Sequence, residues 1–158
     1  MILTIDIGKG TEDILLLKSK ENVENSIQLV LPSSAFLLCE QLKLENSKKI
    51  LFLGELMAGE PYHKEIYRLA NNKSNFIAMT NTAARSLKYN LNFVKAKGIN
   101  ILEENKIDEV DFDKIYHLQD ILWDRLFCIL QHSQIPIENI EKILICAQDH
   151  RLNVISYE

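Results

Sequence analysis

The order of strand and helix patterns constrains the fold of this chain most strongly. Three short β-rich runs, "MILTIDI", "DILLLKS" and "SIQLVLP", come first and are joined by tight connections. They predict three consecutive antiparallel strands within residues 1–31. From "KKILFLGE" onward, apolar runs typical of buried strands alternate with helical stripes. The sequence therefore predicts an α/β fold with one mixed sheet, its later strands covered by helices.

Helices are predicted between the later strands. Ser33 or Ser34 can cap a helix through "AFLLCEQLKLEN", although "AFLLC" is also compatible with a strand. Pro61 suits the first turn of a second helix. The apolar stripe expected on that helix consists of Tyr62, Ile66, Leu69 and Ala70. A third helix is predicted to follow "NFIAMT", capped by one of the polar residues of "TNT", and to end at Gly98.

The acidic stretch "EENKIDEVDFD" predicts a solvated loop that leads to a helix cap at Asp111 or Asp113. A long helix is predicted after it and before Pro136. The apolar residues expected on one face of that helix are Ile115, Leu118, Leu122, Leu126 and Ile129. "EKILICAQDH" predicts the last strand.

The turn between the first two predicted strands holds two of the chain's five glycines, Gly8 and Gly10. Glycine lets backbone amides approach an anion closely, Thr11 adds a hydroxyl donor, and Lys9 adds a positive charge. These residues predict a phosphate-binding turn. The alternative is a plain hairpin whose glycines serve only the turn. A Walker loop is not the explanation, because G-x-x-x-x-G-K-[ST] is absent.

Two carboxylates flank this turn, Asp6 before it and Asp13 after it. Mg²⁺ prefers oxygen ligands and is commonly held by one or two carboxylates together with phosphate oxygens. Asp6 and Asp13 are thus both suited to a hard cation such as Mg²⁺. The alternative is a plain hairpin whose two acids are solvated.

Three further residues are candidates for ligand contacts. Asp149 and His150 end the last predicted strand, where open α/β sheets tend to place ligands, and could contact a ligand or metal. The alternative is a pair at the end of a strand that meets only solvent or a neighbouring turn. Arg85, in "TAARSL", could bind an anion or form an ordinary ion pair. No Ser-His-Asp or Cys-His grouping can be argued from the order of residues.

Composition excludes several functional classes. The net charge of −4 disfavours nucleic acid as a partner. Cys39, Cys128 and Cys146 are far apart, which predicts buried thiols in a reducing compartment, without a disulfide framework. No apolar run approaches the ~20 residues of a membrane span, and the N-terminus lacks the pattern of a signal peptide. We expect a cytoplasmic protein without membrane association.

The strand order and the pattern D-x-G-x-G-T-x-D resemble the actin, Hsp70 and sugar-kinase (ASKHA) superfamily. The resemblance implies a ribonuclease H-like, actin-like ATPase fold over residues 1–158, either complete in itself or as the N-terminal half of a two-lobed protein. It also implies ATP or another phosphate ligand with Mg²⁺. In this resemblance Asp6 is the metal-linked acid, Asp13 is a second acid or a structural acceptor of the turn, and the phosphate clasp consists of Gly8, Gly10 and Thr11.

A second resemblance covers nearly the whole chain. "TIDIGKGTEDILL", "LVLPS", "GELMAGEP", "TNTAARSL" and "CAQDH" resemble a prokaryotic family that is labelled as a pyruvate formate-lyase activating enzyme. Radical enzymes of that kind bind an iron–sulfur cluster through closely spaced cysteines. The isolated cysteines of this chain lack such spacing, so we expect neither an iron–sulfur cluster nor zinc.

Two functions remain open at this level. The first is an ASKHA-type ATPase or kinase that binds a small phosphorylated ligand, its site completed by a second lobe or by a homodimer partner. The second is a non-catalytic ribonuclease H-like module with a vestigial site, acting in interaction or regulation.

Overall fold

The structure, a computed structural model, describes residues 1–18 and 26–147, in which eight strands form two four-stranded sheets. The strands are β1 (Ile2–Ile7), β2 (Thr11–Leu17), β3 (Ile27–Pro32), β4 (Lys49–Gly54), β5 (Phe76–Thr80), β6 (Asn100–Leu102), β7 (Lys114–Leu118) and β8 (Lys142–Ala147). The α-helices are α1 (Ser34–Lys43), α2 (His63–Asn71), α3 (Asn81–Leu87), α4 (Leu91–Ala96) and α5 (Trp123–His132). Two short 3₁₀ helices span Glu104–Glu109 and Ile137–Asn139.

The first sheet has the order β3-β2-β1-β8. The three N-terminal strands pair antiparallel, which confirms that prediction, and β8 pairs parallel to β1. Side chains alternate along β1 and β2, so that Ile5, Ile14 and Leu16 are buried on one face. Leu126 and Leu130 of α5 belong to the same core cluster as that face. The opposite face of the hairpin carries exposed residues.

The second sheet is entirely parallel and has the order β6-β5-β4-β7. The prediction of one mixed sheet is therefore wrong, because β4 pairs with β5 and β7 and lies outside the first sheet. The ribonuclease H-like and actin-like assignment, which needs β4 in the first sheet, is not confirmed. The structure shows an α/β fold with two sheets, one of which is mixed and the other parallel.

Most predicted helices are present in the structure, and capping residues and apolar stripes near each helix explain why they form. Ser33 caps α1 by accepting the Phe36 amide at 3.2 Å, which decides between helix and strand for "AFLLC". Ile66 and Leu69 of α2 are buried, as its apolar stripe predicts. The third predicted helix is instead two helices, α3 and α4. Asn90 interrupts it because its side chain accepts the Asn92 amide and caps α4.

The helix predicted from Asp113 through Ile115 and Leu118 is wrong for its first part. Residues 114–118 form β7, with Tyr116 and Leu118 buried and Ile115 exposed, and α5 begins only at Trp123. Asp113 caps no helix; its carboxylate accepts the backbone N–H groups of Lys48 and Lys49, which lead into β4. This side chain thus helps to align β7 beside β4.

The loops after β4 and β7 are tied together. The Glu55 amide donates to the Leu118 carbonyl at 3.1 Å, and Asp120 accepts the amides of Met57 and Ala58 at 2.8 and 2.9 Å. Ser34 of α1 donates its hydroxyl to the Gln119 carbonyl. These bonds fix the segment that connects the parallel sheet to α5.

No helix in residues 1–18 and 26–147 has both the length and the apolar character needed to cross a membrane.

Candidate functional site

The turn between β1 and β2 is closed by one short backbone hydrogen bond, from the Gly8 amide to the Thr11 carbonyl at 2.8 Å. Neither Gly8 nor Gly10 has a φ in the left-handed region. A Cβ on Gly10 would meet nothing within 4 Å, and a Cβ on Gly8 would lie 3.2 Å from the Thr11 carbonyl oxygen. The conformation of the turn therefore does not require glycine at residue 10. Because Gly10 has no side chain, its backbone is accessible to a ligand.

Ser33, the cap of α1, binds both carbonyl groups at the tip of this turn. Its hydroxyl donates to the Lys9 carbonyl at 2.9 Å, and its amide donates to the Gly10 carbonyl at 3.0 Å. In a trans peptide the N–H points opposite to the C=O. The N–H groups of Gly10 and Thr11 therefore both point away from Ser33, and successive amides with a common direction can receive an anion.

Asp6 and Asp13 are directly opposite each other in the β1–β2 register and are both exposed. Side chains at opposite positions of an antiparallel pair have Cβ atoms about 4.5–5.5 Å apart, and like charges there destabilise the pair. The Thr11 hydroxyl donates to Asp13 Oδ2 at 3.3 Å. The two carboxylates line a cleft of about 280 Å³ that also includes Thr4 and Gln28. The other lining residues, Ile14, Leu15, Leu29 and Val30, are apolar, so Asp6 and Asp13 supply the charged oxygen atoms of the cleft, which are of the kind that Mg²⁺ prefers.

Lys9 extends away from these carboxylates. Its ammonium group lies 3.5 Å from Glu60 Oε2, and both side chains are exposed. Such a surface pair contributes little to stability, typically about 0–1 kcal/mol. Lys9 is therefore free to exchange Glu60 for an anionic ligand at small energetic cost.

The sequence analysis missed Glu12, the one residue of "GKGTED" that points into the core. Its side chain is only 1% exposed, and Arg125 of α5 donates to its Oε2 at 2.7 Å. Burial raises the pKa of Glu12, whereas the Arg125 guanidinium and the Ser34 amide act in the opposite direction. The alternation of buried and exposed positions along β2 indicates that Glu12 is buried, because Glu12 lies on the same face as Ile14. This ion pair connects the turn to α5.

The other predicted site residues are not brought to the turn by any described contact. Arg85 is exposed on α3, with its guanidinium carbon 5.6 Å from the centre of the Tyr89 ring. Within residues 1–18 and 26–147 no hydrogen bond or ion pair links Arg85 to the turn. Asp149 and His150 lie outside the described residues. Their roles, like that of Arg85, stay predictions.

The cysteines are distributed over three elements. All three are free thiols, and Cys39 is buried in α1 as predicted. The prediction of buried thiols is wrong for Cys128 of α5 and Cys146 of β8, which are exposed. Among the described residues there is no group of three or more His, Cys, Asp or Glu side chains that could hold a metal ion. Lying on three separate elements, these cysteines do not fit a three-cysteine cluster. The absence of iron–sulfur and zinc centres stays a prediction.

The family model described as "Putative pyruvate format-lyase activating enzyme (DUF1786)" matches residues 57–154. The chain belongs to this family. The matched region runs from the loop after β4 past β8, and the turn with Asp6 and Asp13 precedes it. The match therefore includes β5, β6 and β7 of the parallel sheet and β8 of the first sheet, but neither β4 nor the turn. No curated protein and no solved structure matches the chain.

Proposed function

We propose that this protein binds a nucleotide or another phosphate-containing ligand at the GKGTED turn with the help of Mg²⁺. The observation that carries the proposal is the placement of Asp6 opposite Asp13 on the exposed face of the hairpin. Two like charges in this position repel each other unless a cation lies between them. A hairpin selected for stability alone would not need this pair.

The backbone beside the two carboxylates supports the same proposal. The amides of Gly10 and Thr11 point in a common direction, and the missing Cβ at Gly10 leaves room for a phosphate to approach. Bound Mg²⁺ would offset the repulsion of the carboxylates and supply coordination to phosphate oxygens. Asp6 would hold the ion, while Asp13 is oriented by the hydroxyl of Thr11.

An ATPase or kinase-like activity of the ASKHA type is part of this proposal. The proposal rests on the residues of the turn and not on an actin-like fold. A second lobe or a homodimer partner would complete a catalytic site. The cytoplasmic location and the lack of nucleic-acid binding expected from the composition belong to the same proposal.

Calorimetric titration with ATP, in the presence and absence of Mg²⁺, tests the proposal. Binding should require Mg²⁺, and Asp6→Asn should weaken it about tenfold to a hundredfold, because a charge-assisted contact is worth roughly 1.5–3 kcal/mol. Asp108→Asn, which alters an exposed acid in the 3₁₀ helix Glu104–Glu109, is the matched control and should bind as the parent chain does. Binding unaffected by Asp6→Asn, or no binding at all, would contradict the proposal.

A second candidate function, an interaction module, is favoured by β8. In the described part of the chain β8 pairs only with β1 and forms an edge of the first sheet. Its consecutive residues Ile143, Leu144 and Ile145 are between 43% and 56% exposed, so apolar surface lies on both faces of the edge. Exposed apolar edge strands are prone to pair with another strand. Light scattering tests this function: self-association that Leu144→Lys abolishes would support it, and a monomer that binds Mg²⁺ and ATP would favour the first proposal.

A further inference from the structure

A cleft lies on the side of the turn where α1 and α2 meet. It has a volume of about 480 Å³ and is lined by Lys9, Gly10, Phe36, Glu60, Pro61 and Lys64. It shares no lining residue with the cleft that contains Asp6 and Asp13. Lys9 and Gly10 of the GKG tip line this second cleft, and no residue of the tip lines the acidic cleft.

The lining of the second cleft combines two kinds of group. Lys9 and Lys64 are positively charged, and the only carboxylate in the lining belongs to Glu60, which pairs with Lys9 through exposed atoms. Phe36 and Pro61 provide flat apolar surfaces. Phe36 lies in the first turn of α1 and is 41% exposed, so its ring is available to a ligand. Aromatic side chains of this kind are common stacking partners for planar rings.

The second cleft is rigidly attached to the turn. Ser33 binds the Lys9 and Gly10 carbonyls and also caps the helix that carries Phe36. The Cys39 thiol of the same helix donates to the Pro61 carbonyl at 3.2 Å. The turn, α1 and the start of α2 thus hold Phe36 and Pro61 in place beside Lys9, which is the preorganisation that a binding site needs.

We infer that the phosphate ligand of the turn carries a planar aromatic ring, which stacks on Phe36 beside Pro61 while Lys9 and Lys64 contact its phosphate groups. The inference rests on the proposed function and adds to it the chemical class of the ligand, an aromatic phosphate ester. Phe36 and Lys64 are the specificity residues. Displacement of Glu60 from Lys9 by the phosphate is favourable because that exposed pair is weak.

Two pairs of ligands test the inference by calorimetry in the presence of Mg²⁺. ATP is compared with tripolyphosphate, and phenyl phosphate with inorganic phosphate, so that each pair differs by the ring-bearing part. The ligand with the ring should bind about tenfold tighter in at least one pair, as expected for one stacked ring. Tighter binding in the first pair alone identifies a nucleotide, and tighter binding in both identifies a general aryl phosphate site.

Substitutions separate this inference from the proposed function. Phe36→Ala should remove the advantage of the ring and leave the affinity for tripolyphosphate unchanged, whereas Asp6→Asn should weaken both ligands. Phe93→Ala is the matched control, because Phe93 of α4 is 44% exposed and lies outside the cleft lining. Lys64→Gln should weaken both ligands severalfold, with the exposed Lys73→Gln as its control.

The failures are distinguishable. If tripolyphosphate binds with Mg²⁺ but neither ring-bearing ligand binds more tightly than its partner, the inference is wrong and the proposed function stands. An equal loss of ATP affinity in Phe36→Ala and Phe93→Ala would also overturn the inference. If no phosphate compound binds, both are wrong.

Discussion

The two sheets of this protein bury their strands in different ways. In the antiparallel hairpin of β1 and β2, buried residues such as Ile5 and Ile14 alternate with exposed ones such as Asp6 and Asp13. In the parallel sheet the central strand β4 has three consecutive buried residues, Ile50–Phe52, so both sides of this strand are buried, as is usual in parallel sheets. The hairpin thus exposes charged groups on one side, whereas β4 is buried on both sides along these three residues.

Glycine shows the same difference. Gly54, at the end of β4, has a φ of +76°, and a Cβ there would lie 2.3 Å from the Leu118 carbonyl oxygen. Gly10, at the tip of the hairpin, has neither a left-handed φ nor a neighbour within 4 Å of a Cβ. Glycine is required by packing in the parallel sheet. At the hairpin tip it leaves an open backbone, which is what a ligand site needs.

The largest effect is expected for Gly54→Ala. The substitution forces a side chain into left-handed backbone and against the backbone of β7, and the sum of strain and overpacking should lower the free energy of unfolding by roughly 3 kcal/mol or more. Urea unfolding followed by circular dichroism measures it. A variant as stable as the parent chain would remove the distinction between Gly54 and Gly10.

The next largest effect on stability is expected from the protonation of His63. Burial lowers the pKa of His63 to about 4, partly opposed by the charge of Glu60 and the Ser86 backbone, and its Nε2 has no partner among the described residues. The unfolded chain takes up the proton near pH 6.5. Stability from the neutral ring is therefore fully present above pH 6.5 and is lost as the pH falls towards 4, by about 3 kcal/mol in total.

His63→Asn should flatten this dependence. The difference in unfolding free energy between pH 7 and pH 4 should be smaller in the variant, as measured by urea unfolding at several pH values. The exposed His117→Asn is the control and should keep the slope of the parent chain. An unchanged slope in His63→Asn would show that the ring is not held neutral by burial.

The smallest effect on stability is expected for Gly10→Ala. Because a Cβ meets nothing there, the free energy of unfolding should change by no more than about 0.5 kcal/mol. Binding of ATP with Mg²⁺ should nevertheless weaken severalfold, since the methyl group would stand where a phosphate approaches the amides. Unchanged binding together with unchanged stability would show that no ligand comes close to Gly10.

Local features were predictable from the sequence to a large extent. The hairpin, the Ser33 cap and the stripe of α2 depend on neighbouring residues, and each is present in the structure. The error at Ile115 has a different origin. Its spacing to Leu118 and Leu122 fits a helix, but the burial of Tyr116 and Leu118 beside β4 favours a strand, and that neighbour is more than sixty residues earlier in the chain.

The candidate site likewise has a part that was predictable from neighbouring residues and a part that depends on distant ones. Asp6, Gly8, Gly10, Thr11 and Asp13 are close together because they belong to one turn, so the sequence alone could group them. The cross-chain neighbours could not be found in this way. Glu12 meets Arg125 and Lys9 meets Glu60 only after the two sheets and their helices have packed.

The sequence by itself determined the hairpin, its charged turn and most helices, because hydrogen bonds and side-chain alternation within a few residues decide them. The tertiary structure alone decided which strands share a sheet. An apolar strand such as β4 can pair with β1 or with β5 equally well by its own pattern, since strand pairing depends on distant partners and on the helices that cover each face. For this reason β8 completes the first sheet, although β4 to β7 precede it in the chain.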